Sequence, residues 1–371
     1  MHRPRILCWL IILMLVISAC SIDVSQVAVP NHTITAAPEN NTTTPALPVS
    51  RIPVTWSDLH LSGKLVFMNG GEKVDVFTMT IQSLDLITGE ISTIFKAADN
   101  AYIYSMAVSP DGKQVIMSYS PPLANGSLGT PMLYLLPIDG TAGPGKLFTP
   151  PSAGDEYFQP VWAPDAKTVY FSHIKPGAPP KGQQTQEPEI DRIILPEGTI
   201  EKVADSAFWP NISADSTQLV YVSIDPNDGT NRLVLANPDG SDPHTLVMSG
   251  KWVPNIIDAP IFLPGNETIL FSSLSVTQAY VPSWLDQLLG VTVASAHSVP
   301  SDWWTISAAG GVATQLTHIQ ATSLYASISP DKKYIGSISD FGLFVMNPDG
   351  TGTRVLVNSL GGVPSTLNWI P

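Results

Sequence analysis

Apolar residues along most of this chain come in short runs, each broken by a cluster of Pro, Asp, Gly, Ser and Lys, and one of those clusters recurs. It reads Val108-Ser-Pro-Asp-Gly-Lys113, Trp162-Ala-Pro-Asp-Ala-Lys167, Ile212-Ser-Ala-Asp-Ser-Thr217, Phe262-Leu-Pro-Gly-Asn-Glu267 and Ile328-Ser-Pro-Asp-Lys-Lys333. Proline presets φ, aspartate can hydrogen-bond the turn backbone and glycine relieves strain at the exit, so the phrase predicts a hairpin turn. Runs of β-formers follow at once: Val115-Ile-Met-Ser-Tyr119, Val169-Tyr-Phe-Ser172, Leu219-Val-Tyr-Val222, Ile269-Leu-Phe-Ser272 and Tyr334-Ile-Gly-Ser337. A second turn, at Ile138-Asp139-Gly140, Pro238-Asp239-Gly240 and Pro348-Asp349-Gly350, separates a strand such as Leu343-Phe-Val-Met346 from a closing strand such as Arg354-Val-Leu-Val357.

Successive phrases lie about 50 residues apart with one longer interval, which is the length of a four-stranded unit. Such a unit cannot bury both faces alone, so copies must stack, and radial stacking of four-stranded sheets gives a β-propeller. The pattern of an apolar residue, the Ser-Pro-Asp-Gly-Lys turn, two strands, an Asp-Gly turn and a closing strand resembles the TolB-like (WD-type) propeller repeat, from about Gly63 to the C-terminus. The ends are complementary. The chain enters at Gly63-Lys-Leu-Val-Phe67 on a strand that follows the turn, and leaves on Thr366-Leu-Asn-Trp-Ile-Pro371, which matches the strand before it. The expected fold is therefore all-β: a six-bladed β-propeller of four-stranded antiparallel blades, its ring closed by pairing of the C-terminal and N-terminal strands, which hides both sheet edges.

Ahead of the repeats the pattern differs. His2-Arg3-Pro4-Arg5 is basic and Ile6 to Ala19 is nearly all apolar, too short to span a bilayer but of signal-peptide length. Ser18-Ala19-Cys20 resembles the lipobox of bacterial lipoprotein signal peptides, which implies acylation of Cys20 as the new N-terminus. The segment after it is rich in Asn, Thr, Ser, Pro and Ala, as in Asn40-Asn41-Thr42-Thr43-Thr44-Pro45, and reads as a disordered tether. The expected organisation is 1–19 signal peptide, 20–56 lipid-anchored tether and 57–371 propeller. As a flexible coil of about 30 residues the tether would hold the domain on the order of 30 Å from the membrane. Cys8 leaves with the signal, so no intramolecular disulfide is expected.

Charge then excludes one class of partner. Removal of Arg3 and Arg5 leaves 16 Lys and Arg against 31 Asp and Glu, so the net charge moves from −13 to −15. Phosphate backbones repel such a surface, so no nucleic acid is expected, and the membrane must be reached through the lipid. The implied localisation is extracytoplasmic, on the bacterial cell membrane.

Catalytic signatures are sparse. The sequence holds no Gly-x-Ser-x-Gly elbow, His-Glu-x-x-His helix, phosphate loop or paired-cysteine metal site. His60, His173, His244, His297 and His318 are scattered without ligand spacing, and Asp111, Asp165, Asp215 and Asp331 are turn formers first. No metal, cofactor or catalytic residue is assigned. Asp225-Pro-Asn-Asp-Gly-Thr-Asn231 has its glycine one position early for a calcium loop and reads as a hairpin between second and third strands. Three insertions interrupt the repeat: Pro121 to Pro131, Lys175 to Glu189, and Val276 to about Trp304. The last contains Ser283-Trp-Leu-Asp-Gln-Leu-Leu-Gly290, which predicts a short amphipathic helix. Tyr280, Trp284, Leu288, Trp303 and Trp304 are the expected ligand or partner contacts, because long loops on rigid scaffolds often carry function. TolB-like propellers usually present a ring face to proteins or peptides, so the resemblance implies a non-catalytic binding or scaffold propeller with a protein partner. The alternative is a glycan-binding module or lyase-like propeller enzyme acting on cell-wall or environmental polysaccharide.

Overall fold

The computed structural model describes residues 49–73, 76–175, 188–196, 198–225, 230–250, 253–254, 256–275, 299–358, 360 and 365–371. The signal, Cys20 and most of the tether lie outside these, as do Tyr280, Trp284, Leu288 and the expected helix around them. Six radial sheets follow one another along the chain. The second blade is Tyr102–Val108, Gln114–Ser120, Met132–Pro137 and Gly145–Lys146, and the third is Glu156–Trp162, Thr168–Ile174, Pro188–Ile194 and Thr199–Ala204. The fourth runs Ala207–Ile212, Leu219–Ile224, Asn231–Ala236 and His244–Thr245; the fifth Ile257–Phe262, Thr268–Leu274, Ser301–Ser307 and Thr314–Gln315. The sixth is Tyr325–Ile328, Ile335–Ser339, Gly342–Met346 and Arg354–Asn358. Asp225 N donates to Thr230 O at 2.9 Å where the second and third strands of the fourth blade meet; residues 226–229 of the segment read as a hairpin lie outside the described residues.

The first blade is composite, as the chain ends require. Ser365–Ile370 is its inner strand and pairs antiparallel with Lys64–Lys73, which continues to Val76–Asp85 and Glu90–Lys96. Gly63, at φ +80°, lets the chain pass Ile370 closely; a Cβ there would collide with the Ile370 carbonyl oxygen. One boundary changes. Val49–Arg51 adds a fifth strand outside Glu90–Lys96, Ile52 N donates to Gly89 O at 2.9 Å, and Trp56 is fully buried with its Nε1 donating to Leu86 O at 2.8 Å. Residues 49–56, expected in the tether, therefore belong to the propeller: a tryptophan outside the repeat finds a pocket against the first blade.

Burial follows blade contacts rather than single sheets. One apolar cluster joins the first three blades through Met79, Ile103, Met117, Tyr157 and Phe171, and another joins the sixth to the first through Leu343, Val345, Leu65, Phe67 and Trp369. Between the fourth and fifth blades Val222, Leu233, Phe271 and Trp304 interlock. At roughly 25 cal/mol per Å2 of apolar surface removed from water, these seams are the main source of stability.

Turn chemistry is as the sequence suggests. Asp215 Oδ1 accepts from Ser213 Oγ at 2.7 Å, Thr217 N at 3.0 Å and Thr217 Oγ1 at 2.7 Å, and Asp111 and Asp331 repeat the pattern with Ser109 and Ser329. In the Asp-Gly turns Asp139, Asp239 and Asp349 accept from Thr141, Ser241 and Thr351. The position of positive φ is Gly112 in one blade but Ala166, Ser216, Asn266 and Lys332 in others, so hydrogen bonding to the turn outweighs the local strain.

Two outcomes test this framework. Deleting Leu367 to Pro371 removes the inner strand of the composite blade and is expected to lower the melting temperature of the whole ring; an unchanged transition would refute closure through this blade. Side-chain hydroxyl donors hold Asp111, Asp139, Asp215, Asp239, Asp331 and Asp349 below the usual carboxylate range, Asp215 down to about 2. A depressed folded value means stability present above the unfolded pKa of about 4 and lost as pH falls through the folded one. Melting temperature should therefore drop between about pH 4 and pH 2, and Asp215→Asn, which keeps an acceptor oxygen, should flatten that drop.

Candidate functional site

The two faces of the ring differ. Strands one and two, and three and four, are joined on one face by short turns, most of them built on an aspartate. Links between strands two and three lie on the opposite face, at the end where inner strands begin, since Tyr102 opposes Ser120 and Glu156 opposes Ile174. All three insertions occupy such links, so the strands that bound them end on one face of the ring.

Inner strands are bent where they line the axis. In three blades two residues oppose one on the neighbouring strand: Gln159-Pro160, Trp209-Pro210 and Ala259-Pro260. The first of each pair has positive φ, at 53°, 56° and 48°. Proline is at home in a bulge because it has no N–H to leave unpaired, and the bulge re-aims its neighbour. Trp209 is turned across the axis so that its ring meets that of Tyr325 from the sixth blade, centroids 5.7 Å apart at 55°. Toward the insertion face Tyr104 packs on Tyr102 at 4.6 Å and edge-on to Phe158 at 5.2 Å.

On the turn-face side lies a cavity of about 270 Å3, walled by all the inner strands. Its inner end is formed by Ser105, Gln159, Trp209, Ala259, Tyr325 and Thr366; apolar side chains such as Val161, Ile261 and Ile328 line it further out. Its polar oxygens serve the ring. Thr366 Oγ1 accepts from Met106 N at 3.2 Å, Asn368 Oδ1 from Val108 N at 3.0 Å and Ser105 Oγ from Gln159 N at 2.8 Å. Gln159 Oε1 accepts from Trp209 N at 3.0 Å, Asn211 Oδ1 from Phe262 N at 3.3 Å and Ser327 Oγ from Trp369 N at 2.9 Å. Among the described residues that line the cavity, no Asp, Glu, His, Lys, Arg or Cys occurs. Tyr325 is the one titratable group there, and burial first, then the nearby Asp258 charge, holds its phenol far above its ordinary value.

The residues expected to meet a ligand fare differently. Trp303 and Trp304 do not flank an exposed loop. They belong to the third strand of the fifth blade, which begins at Ser301, and are buried at 0 % and 2 %. Trp303 Nε1 donates to Ser337 Oγ at 3.0 Å and Trp304 Nε1 to Leu274 O at 3.2 Å, so both rings are spent on packing. Of the histidines, His60, His244 and His318 are exposed and His297 lies outside the described residues. His173, expected to stand without ligand partners, is buried among carboxylates, where burial opposes charging but the hydrogen bond and charge of Asp191, with Glu189 and Asp155, win and raise its pKa. Sequence reasoning missed this because the partners are set by strand pairing across an insertion. Its trace was Glu189-Ile-Asp191, two acids spaced for one face of a strand. The channel residues were missed too, although the Gln159-Pro, Trp209-Pro and Ala259-Pro dipeptides recur at the repeat length.

No protein-family model matches the chain and no curated protein matches it by sequence. Solved structures do. The fold is similar to TolB from Acinetobacter baumannii, with TM-score 0.57 and 14% identity over 83% of this chain and 67% of that one. It is similar to a chain of a nidogen/laminin complex, with TM-score 0.55 and 11% identity over 83% and 98%. It is also similar to an oligogalacturonate lyase in complex with manganese, with TM-score 0.50 and 11% identity over 84% and 85%. The class is thus a six-bladed β-propeller with a TolB-like fold. At these identities the likeness establishes fold alone.

Interlocking of the inner strands is testable at Gln159, whose Oε1 also accepts from Ser172 Oγ at 2.6 Å. Gln159→Ala leaves the Trp209 N–H without that acceptor and should cost about 1–2 kcal/mol, read from the denaturant midpoint. No loss of stability would show the junction between third and fourth blades to be held by packing alone.

Proposed function

We propose that this protein is a non-catalytic binding propeller, lipid-anchored through Cys20 on the extracytoplasmic side of a bacterial membrane, whose channel cavity receives a protein or peptide partner. The observation that carries this reading is the uncharged cavity: its outer walls are apolar, its hydroxyl and amide oxygens are committed to neighbouring backbones, and no acid, base or thiol lines it among the described residues. A volume of about 270 Å3 is small for a pocket that must enclose a whole ligand, which typically needs about 300–1,000 Å3. It suits one or two apolar side chains protruding from a larger partner, with the rim meeting the rest of that surface. Asn211 and Asn368 each retain amide N–H donors suited to peptide carbonyls. The nidogen/laminin complex and TolB among the fold's neighbours support a protein partner; glycan recognition or lyase chemistry would find no carboxylate or imidazole among the described residues that line the cavity.

Two substitutions test this. After mild cross-linking and capture from detergent-solubilised membranes, the wild-type protein should retain a partner that Ile328→Lys and Val161→Lys lose without a change in melting temperature. Retention by both variants would overturn the channel reading. Cys20→Ala should release the protein from membranes, and tight association persisting in high salt would count against lipidation.

A further inference from the structure

A cluster of buried ionisable side chains in the third blade plays no part in the channel. His173 on the second strand stands directly opposite Glu189 on the third, and Asp191, two residues on, points to the same side of the sheet. Asp155 approaches from the segment that leads into the inner strand. Asp155 is 2 % exposed, His173 and Asp191 4 % and Glu189 7 %. They line a cavity of about 370 Å3 together with Ser152, Lys175 and Lys202, at the end of the blade that faces the insertions.

The imidazole has carboxylates at both nitrogens, and the two sides are unlike. Nδ1 lies 2.7 Å from Asp191 Oδ2 and 3.1 Å from Glu189 Oε1, and Lys175 Nζ pairs with Glu189 at 2.7 Å. That hydrogen bond to Asp191 makes Nδ1 the protonated donor and fixes the ring, as does Tyr157, stacked on it at 4.5 Å and 18°. On the far side Nε2 faces Asp155 Oδ1 at 3.6 Å, beyond hydrogen-bond reach, and neither atom has a hydrogen-bond partner. Asp155 itself is held from behind, its Oδ2 accepting from Ser152 N at 3.0 Å and from the Tyr157 hydroxyl at 3.3 Å. Two buried polar atoms therefore face one another across a gap without a hydrogen bond.

A gap of 3.6 Å suits two ligands of a single ion. With bonds of about 2.1 Å they would subtend roughly 120° at the metal, within the range of four-coordinate sites. Charge leads to the same place. Three carboxylates facing one imidazolium and Lys175 leave one buried negative charge, whereas a divalent ion in place of the Nε2 proton cancels it. We propose that the third blade holds a first-row divalent metal ion, with His173 Nε2 and Asp155 Oδ1 as ligands, Asp191 orienting the imidazole through Nδ1–H, and water from the cavity completing the shell.

The test uses the full-length protein in detergent, stripped with a chelator and titrated with Mn2+, free ion being read by electron paramagnetic resonance and Zn2+ added as competitor. One saturable site per chain is expected, displaced by Zn2+. Asp155→Asn and His173→Asn should each weaken Mn2+ binding at least about 100-fold and Asp191→Asn about 10–100-fold, while His318→Asn leaves it unchanged. Asp155→Asn is nearly isosteric and keeps an acceptor for Ser152 N, so its melting transition should survive. A second readout needs no variant: bound Mn2+ should broaden the imidazole resonances of His173 before those of exposed His60, His244 and His318. No saturable binding by wild type, binding indifferent to both ligand substitutions, or first broadening at an exposed histidine would each overturn the site.

Discussion

Everything in this ring depends on how the free edge of each inner strand is satisfied. A radial sheet pairs its inner strand on one side only; the other edge faces the axis with a row of N–H and C=O groups that cost free energy if buried unpaired. Here a side chain from the adjacent blade supplies the acceptor. Thr366 and Asn368 serve the second blade, Ser105 the third, Gln159 the fourth, Asn211 the fifth, and Ser327 the composite first blade. Each bond is modest by itself, about 1 kcal/mol net, but it sets the spacing and rotation of one blade against the next, so the apolar seams meet in register. The same rule explains why the last strand of the chain must lie innermost: its Trp369 N donates to Ser327 and its Thr366 and Asn368 oxygens accept from Met106 N and Val108 N, bridging the two ends of the sequence.

What could be seen in the sequence divides along the reach of the interactions. Turns of the Ser-Pro-Asp-Gly type are decided within five residues, by a proline, a hydroxyl and a carboxylate that satisfy one another, so the repeat and the blade count were legible. Strand after turn followed from β-branched runs, and ring closure from the complementary chain ends. Trp303 and Trp304 were misread because an insertion of uncertain length precedes them; only pairing of Phe271 with Trp304 and Ser272 with Trp303 shows that they already lie in the strand. Trp56 was hidden for the opposite reason, a lone aromatic outside any repeat, whose Nε1 finds its acceptor only at Leu86, across a strand hairpin. His173 and Glu189 are neighbours only because their strands pair, and no local rule predicts which buried faces will collect charge.

The chemistry of the two faces follows from that architecture. Oxygens that would otherwise line the cavity are drawn into inter-blade bonds, so its described wall carries no Asp, Glu, His, Lys or Arg side chain. Aspartates on the turn face are likewise consumed locally, each by hydroxyl and backbone donors of its own turn. Away from the axis, the third blade buries polar atoms that no hydrogen bond of the repeat satisfies. Asp155 Oδ1 and His173 Nε2 are such atoms, and their burial sets them apart from the turn aspartates, whose demands water can meet. A fold that spends its polar groups so consistently on its own closure makes an unspent, buried pair informative: burying it without a counter-ion works against stability, and the ion that would relieve it also ties the segment carrying Asp155 to the strands of the same blade.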